Sequence, residues 1–263
     1  MRFFFFLFVF NFSLSAQKLP DLWESSSVRK PLPYNFLREA DVTWGKRVWR
    51  TIDLREKLNY PLRYPLIPND KKTSLFDVLK KAVFQKNVSP MNYSKREFFS
   101  EINSDSLNQT LIRKKQKTLE DEFGKNNIIY FLDTIRAEEI CQYFIIEDYF
   151  FDSKRSVLDS RIRAICPVWY NISEKQLEPV FWVEYDECRD ILVNHSALNS
   201  KNDSRKISFD DLFNKRMYNS FITKESNIFD REVNEYAKGI DALYEAERIK
   251  QSIYNFESDL WEY

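Results

Sequence analysis

Apolar residues at three- and four-residue spacing predict helices near the start of the chain. Residues 36–58 follow Asn35, a residue type favoured at helix N-caps, and their spacing predicts one amphipathic helix that ends before Pro61. A second, shorter helix is predicted from Ser74, because Asp77 three residues later completes a capping box. The stripe of the first helix consists of Leu37, Ala40, Trp44, Val48 and Ile52.

The centre of the chain alternates between apolar and polar residues, as strands do. Segments 141–151, 157–170 and 179–185 are strand-like, and the short polar turns between them predict an antiparallel meander. In the second segment, apolar residues alternate with charged ones, so we expect one face of the sheet to be buried there.

Helical spacing returns after the meander. Ser208 and Asp211 repeat the capping box, and four apolar residues lie on one face of the helix that follows: Phe209, Phe213, Met217 and Phe221. A long C-terminal helix, interrupted at Gly239, is predicted to reach about Ser252 from the stripe Phe229, Val233, Tyr236, Ile240 and Leu243. The predicted fold class is α+β, an antiparallel β-meander flanked by amphipathic helices, with an N-terminal helical region and an extended arm.

These patterns divide the chain into five regions. Residues 1–16 have the charged start, short apolar run and small-residue exit of a secretory signal peptide, and the run is too short to span a membrane. Residues 17–34 are rich in Pro and Ser, which predicts an extended arm. The other regions are an N-terminal helical region (35–86), a variable polar connection with one short helix (87–127), and an α+β domain with C-terminal helices (128–263).

Charge balance and composition narrow the classes of function. The chain has 40 basic and 40 acidic residues, so it lacks the basic excess of nucleic-acid-binding proteins, and we expect no nucleic-acid partner. Its 3 glycines are scattered, which argues against a phosphate-binding loop. His195 and three separated cysteines lack the spacing of a metal site. The sequence therefore predicts no metal, cofactor or catalytic residue, and a protein that is not an enzyme.

One enzymatic alternative stays open. Asp186 and Glu187 are neighbouring carboxylates of the kind that a periplasmic hydrolase or sugar-binding protein uses, although coincidence explains them better among 40 acidic residues. That alternative predicts a concave pocket with close carboxyl groups.

The cysteines suggest a pairing, because an exported chain reaches an oxidising compartment. If the turn after the first strand pairs Phe151 with Ser156, antiparallel register places Cys141 opposite Cys166. We therefore predict a bridge or near-contact between Cys141 and Cys166, with Cys188 free. The alternative, three small buried thiols, is equally compatible with the sequence.

Aromatic and arginine residues form a dense cluster in the first predicted helix. They cannot all face one core, and Trp and Arg dominate protein interfaces, although a helix buried on two sides within one chain would also explain them. We interpret six residues at two places as candidate contacts: Trp44, Arg47, Trp49 and Arg50 in this helix, and Trp261 and Tyr263 at the C terminus.

Several long stretches resemble one known family. The stretch PLPYNFLREADVTWGKRVWRTIDLREKLNYPLRYP at residues 31–65, ECRDILVNH from Glu187 and GIDALYEAERIK from Gly239 are similar to the GldN/PorN family, a core component of gliding motility and of the type IX secretion system. The resemblance covers most of the chain after residue 30, with little over residues 87–127.

The resemblance implies a periplasmic ring or scaffold subunit without a recognised active site. Its implied partners are a GldK/PorK-like outer-membrane lipoprotein, a GldM/PorM-like motor protein and copies of itself in a ring. It would be associated with the outer membrane through these partners alone.

Overall fold

The computed structural model describes residues 28–69, 72–93, 99–120, 126–171, 174–198 and 206–261. The predicted signal peptide, residues 17–27 of the arm, and Tyr263 lie outside this part of the chain.

Twelve strands are distributed along the whole described chain. They are β1 (Val42–Asp53), β2 (Pro90–Tyr93), β3 (Phe99–Glu101), β4 (Ile112–Glu120), β5 (Asn126–Thr134), β6 (Ile140–Asp152), β7 (Val157–Asn171), β8 (Gln176–Pro179), β9 (Trp182–Glu184), β10 (Ser196–Ala197), β11 (Ile207–Ser208) and β12 (Phe221–Glu225).

Seven α-helices accompany them, together with short 3-10 turns at Glu39–Asp41, Lys57–Asn59 and Ala137–Glu139. The helices are α1 (Tyr60–Arg63), α2 (Leu75–Phe84), α3 (Ser104–Leu111), α4 (Tyr185–Leu192), α5 (Phe209–Asn214), α6 (Val233–Tyr236) and α7 (Ile240–Trp261).

An eight-stranded antiparallel sheet organises the molecule. Its strands follow the order β12, β1, β6, β7, β9, β2 and β3, and β8 also pairs with β7. The predicted meander is present as β6, β7 and β9, and the α+β fold class is confirmed. β4 and β5 form a separate two-stranded sheet, which we call the ribbon, and β10 and β11 form another.

The helix predicted over residues 36–58 is wrong, because β1 is an interior strand of the sheet, next to the edge strand β12. It pairs with β6 along its length and with β12 on its other side. The second half of β1 is buried on both sides of the sheet, so its apolar residues do not alternate with polar ones. A strand covered on both faces loses the period-2 signal. β-branched Thr43, Val48 and Ile52 favour the strand.

Both predicted capping boxes mark helix starts. The Ser74 hydroxyl oxygen accepts from the backbone N–H of Asp77 at 3.2 Å at the start of α2. The Ser208 hydroxyl oxygen accepts from the backbone N–H of Asp211 at 3.0 Å at the start of α5. The predicted continuation of α5 is corrected, because the helix ends at Asn214 and its supposed last apolar residue lies in β12.

The C-terminal helix is divided at Gly239, which adopts φ +63°. This left-handed conformation suits a residue without a Cβ and breaks the helix. α6 is a single turn, and α7 then runs beyond the predicted end at Ser252.

The predicted pairing of Cys141 with Cys166 is also corrected. The β6–β7 turn pairs Asp152 with Val157, and the register shifts again between Ile146 and Glu147, so Phe144 is opposite Cys166. All three cysteines are free, and only Cys141 is not buried. The alternative of free thiols agrees with the structure for the two buried residues.

The two faces of the sheet carry different cores. On one face, Ile52 and Tyr143 join apolar residues of α2, α4 and α5 in the largest cluster. On the same face, Val48 packs against α6 and α7. The opposite face carries a smaller cluster that contains Trp49 and Cys166. β1 therefore contributes to the core on both sides.

Candidate interaction surfaces

Trp49 is a core residue of the chain's own fold. Only 7% of it is exposed, and it packs with Ile146 and Trp182 on the second face of the sheet. The Nζ atom of Lys224 lies 4.4 Å from the centre of the indole ring, which is cation–π geometry. The interpretation of Trp49 as a contact residue is therefore corrected.

Arg50 is likewise used within the chain. It is 8% exposed and lies in β1 beside β12. Its guanidinium donates to the hydroxyl and the backbone oxygen of Ser220, at 2.9 and 3.2 Å, and to the Tyr149 hydroxyl at 3.2 Å. A buried guanidinium needs such partners, so Arg50 is a structural residue and not a free contact.

Trp44 and Arg47 are half-buried and already have partners in the fold. The Trp44 ring stacks on Phe256 of α7 with centroids 4.5 Å apart. Arg47 makes a bidentate pair with Asp148 of β6, with N–O distances of 2.6 and 2.9 Å. The cluster predicted as an interface mainly joins β1 to its neighbours. The backbone of Trp261 ends α7, and its role as a contact stays a prediction, as does that of Tyr263.

Large apolar side chains are exposed instead near the C terminus. We call them the C-terminal surface: Ile228, Phe229, Tyr236, Ile240, Leu243, Tyr244 and Tyr254. The inner side of α7 is buried through Ala242, Ala246, Ile249 and Ile253, which leaves the exposed residues on its other sides. The sequence pattern placed several of them on the single apolar stripe of one long helix. Gly239 is the signal that could have separated them, because a break resets the helical phase.

The most exposed part of this surface is a tightly held loop. Ile228 is 98% and Phe229 71% exposed. The Asn227 side chain donates to the backbone oxygens of Glu225 and Arg231, each at 2.9 Å, and accepts from the backbone N–H of Arg231 at 3.0 Å. The Arg231 guanidinium carbon lies 4.5 Å from the centre of the Phe229 ring. Two apolar side chains are thus presented on a backbone that is already ordered.

The described part of the arm docks on the chain's own body. The Tyr34 ring lies 4.2 Å from the guanidinium carbon of Arg189 and 4.9 Å from that of Arg161. Arg189 also donates to the Leu32 backbone oxygen at 2.6 Å and pairs with buried Asp210 at 3.0 Å. These contacts anchor residues 28–36, which have no regular secondary structure, against α4 and α5.

The carboxylates of the enzymatic alternative lie at the start of α4. Glu187 accepts from the backbone N–H of Ser89 at 3.1 Å, and Asp186 lies 3.8 Å from Arg163. Within the described part of the chain, neither lines the surface cavities of about 380 and 290 Å³. His195 Nδ1 lies 2.9 Å from a backbone oxygen of α4. No observed geometry therefore favours catalysis at Asp186 and Glu187.

The described ranges carry neither a metal-ligand cluster nor a membrane-spanning helix. Within them, no three or more His, Cys, Asp or Glu side chains are grouped to hold a metal ion. None of the described helices combines the length and apolar character needed to cross a bilayer.

A known protein family matches most of the chain. The family described as gliding motility associated protein GldN matches residues 37–262, which is most of the chain. No curated protein matches the chain. The matched region begins just before β1 and includes the whole sheet and all of α7.

Proposed function

The chain belongs to the GldN family of gliding motility associated proteins, and from this premise we propose that it is a periplasmic ring or scaffold subunit of the type IX secretion and gliding machinery. Its proposed partners are a GldK/PorK-like outer-membrane lipoprotein, a GldM/PorM-like motor protein and further copies of itself. It acts by binding these partners and not by catalysis, and it reaches the outer membrane through them.

The C-terminal surface is the observation that carries this proposal. Scattered single apolar residues are normal on a protein surface, but Ile228 and Phe229 are adjacent, largely exposed and held on an ordered loop. An ordered loop lowers the entropic cost of binding, and buried aromatic anchors supply much of the affinity at interfaces. These features favour a surface that is covered in a complex.

The start of the sequence supports the proposed location. Residues 1–16 have the pattern of a secretory signal peptide, which would direct the chain across the inner membrane. Leu32 of the arm and Phe36 just after it are exposed, although the backbone beside them is anchored. They offer a second apolar surface to a neighbouring subunit.

Recovery of partners from envelope extracts tests the proposal. A tagged chain purified from detergent-solubilised envelopes should bring down an outer-membrane lipoprotein and a motor protein, identified by mass spectrometry. The double substitution Ile228→Ser and Phe229→Ser should reduce recovery of at least one partner about tenfold or more, because interface anchors contribute 2 kcal/mol or more each.

Ile67→Ser is the matched control, because Ile67 is 80% exposed but lies outside the C-terminal surface. It should leave recovery unchanged. A chain that is strictly monomeric in intact extracts, or one that shows turnover of a substrate, would contradict the proposed function.

A further inference from the structure

The ribbon forms a two-stranded sheet of its own, apart from the main sheet. Its register runs without a bulge from Ile112 opposite Thr134 to Glu120 opposite Asn126, with 9 residues in each strand. At about 3.4 Å per residue the ribbon is about 30 Å long. Among the described residues, neither outer edge of the ribbon pairs with another strand. Isolated two-stranded sheets are marginally stable, and open edges invite further pairing.

The two edges differ in their sequence. β4 contains four basic residues within five positions, Arg113, Lys114, Lys115 and Lys117, and charged residues of this kind protect an edge against pairing. β5 contains five successive apolar residues, Ile128, Ile129, Tyr130, Phe131 and Leu132, without a charge, Pro or Gly. Such a run readily accepts another strand. The outer edge of β5 therefore lacks the charged residues that protect the edge of β4.

Hydrogen bonding fixes which groups this edge offers. The backbone N–H of Ile135 donates to the Leu111 oxygen at 3.0 Å, in continuous register with the ribbon. In an antiparallel pair, hydrogen-bonded and non-hydrogen-bonded positions alternate. Ile128, Tyr130 and Leu132 therefore direct their backbone N–H and C=O groups to the open edge, away from β4.

We propose that this edge pairs with β5 of a second copy of the chain, antiparallel, about a twofold axis through Tyr130. Such a contact is isologous, because the same edge serves both copies. The register places Ile128 opposite Leu132 of the second copy, and Asn126 opposite Thr134 of the second copy. Apolar residues are then opposite apolar ones, and polar residues are opposite polar ones. The outward backbone N–H and C=O groups of one copy are opposite those of the other and can form hydrogen bonds with them. A slip by one residue would oppose outward groups with inward ones.

The resulting four-stranded sheet has the order β4, β5, β5, β4. Pairing places both apolar strands in the centre and leaves the Lys-rich β4 strands as the new edges, which is how natural sheets protect themselves. The inference rests on the part of the proposed function that joins copies of the chain to one another. It names the surface that makes one of these contacts. A twofold contact joins copies in pairs, so a different surface must join the pairs into a ring.

Cysteine cross-linking tests the register. Tyr130→Cys, in a Cys141→Ser background, places two thiols at a hydrogen-bonded pair whose Cα atoms are about 5.5 Å apart, within reach of a disulfide. Gln116→Cys in the same background is the matched control, because Gln116 lies directly opposite Tyr130 in the ribbon. Its two copies would be about 14 Å apart, beyond disulfide reach. Mild oxidation should cross-link the first variant and not the second.

Sedimentation of the purified chain without partners tests the pairing itself. The natural chain should be a dimer. Tyr130→Pro removes an outward N–H, and Tyr130→Lys adds a charge to the edge, so each should weaken dimerisation about 30-fold or more. Gln116→Lys should not. Circular dichroism shows that each variant is folded.

A natural chain that stays monomeric at about 100 µM, a dimer that both Tyr130 variants leave intact, or equal cross-linking at both positions would overturn the pairing. The proposed function fails separately, through the loss of envelope partners. A monomeric chain that still recovers those partners would refute the pairing alone.

Discussion

β1 and the C-terminal surface both contain more aromatic and aliphatic residues than one side of a helix or strand can bury. The fold buries those of β1 and leaves those of the C-terminal surface exposed. β1 lies between two strands and contributes Val48 to one face of the sheet and Trp49 to the other. α7 lies at the periphery and buries one side, while Ile240 and Tyr244 stay exposed. Position in the fold decides which of the two apolar sets remains available to partners.

The same contrast holds for arginine. Arg50 in β1 is buried among three acceptors, and Arg216 reaches the fully buried carboxylate of Glu147. Arg248 in α7 pairs with Glu245 at the surface. Substituting a buried residue of the sheet should therefore lower the free energy of unfolding. Substituting an exposed residue of the same type on α7 should affect the binding of partners and leave that free energy nearly unchanged.

The largest effect on stability is expected for Trp49→Ala. It leaves a cavity on the second face of the sheet, and large-to-small changes of buried aromatic residues cost about 3–5 kcal/mol. Tyr244→Ala is the matched control, because this aromatic residue is 70% exposed, and surface changes usually stay within about 0.5 kcal/mol. Urea unfolding followed by tryptophan fluorescence or circular dichroism measures both.

Equal costs for Trp49→Ala and Tyr244→Ala would remove the contrast between the two regions. A small cost for Trp49→Ala, with loss of partners, would restore the interpretation of Trp49 as a contact residue.

Local rules predicted much of the fold. The capping boxes at Ser74 and Ser208 mark real helix starts, because they depend on contacts within three residues. The meander is predictable because charged Arg161 and Arg163 alternate with apolar Ile162 and Ala164 in the sequence of β7. β1 was missed because its partners β6 and β12 lie about 90 to 180 residues away in sequence, and because burial on both faces removed the alternation.

The surfaces were less predictable than the elements. Sequence identifies Trp49 and Phe229 as large apolar residues but cannot tell which one the fold covers, since that depends on tertiary neighbours. The register of β6 and β7 shows the same limit. The turn that pairs Asp152 with Val157 and the bulge between Ile146 and Glu147 together put Phe144 in the place predicted for Cys141, and no local pattern marks either feature.

An intermediate effect is expected for Arg216→Ala. Both terminal nitrogens of Arg216 donate to Glu147 at 3.2 Å, and the Tyr218 hydroxyl donates to the same carboxylate at 3.0 Å. Burial raises the pKa of Tyr218 well above its usual value, so the hydroxyl stays a donor but cannot replace the charge. Loss of charged hydrogen bonds to a buried carboxylate should cost about 2–3 kcal/mol.

The control is Arg248→Ala, because Arg248 also pairs with a glutamate, at 2.6 Å, but is exposed. Exposed pairs contribute about 0–1 kcal/mol, so its loss should shift the urea midpoint little. A larger cost for Arg248→Ala than for Arg216→Ala would mean that burial of the carboxylate does not decide the energetics.

The smallest effect is expected for Cys141→Ser, because the residue is half-buried and has no disulfide partner. Loss of a disulfide would cost about 2–5 kcal/mol, whereas loss of this thiol should cost about 0.5 kcal/mol or less.

Burial raises the pKa of the Cys166 and Cys188 thiols, so in the folded protein only Cys141 should react with a maleimide, and the other two should react after unfolding. Cys166 packs in the cluster of Trp49, so its protection also reports how well the second face of the sheet is closed. If fewer than three thiols react in denaturant without reductant, two cysteines must be joined in a disulfide. Cys141 would then be a residue on which the stability of the fold depends.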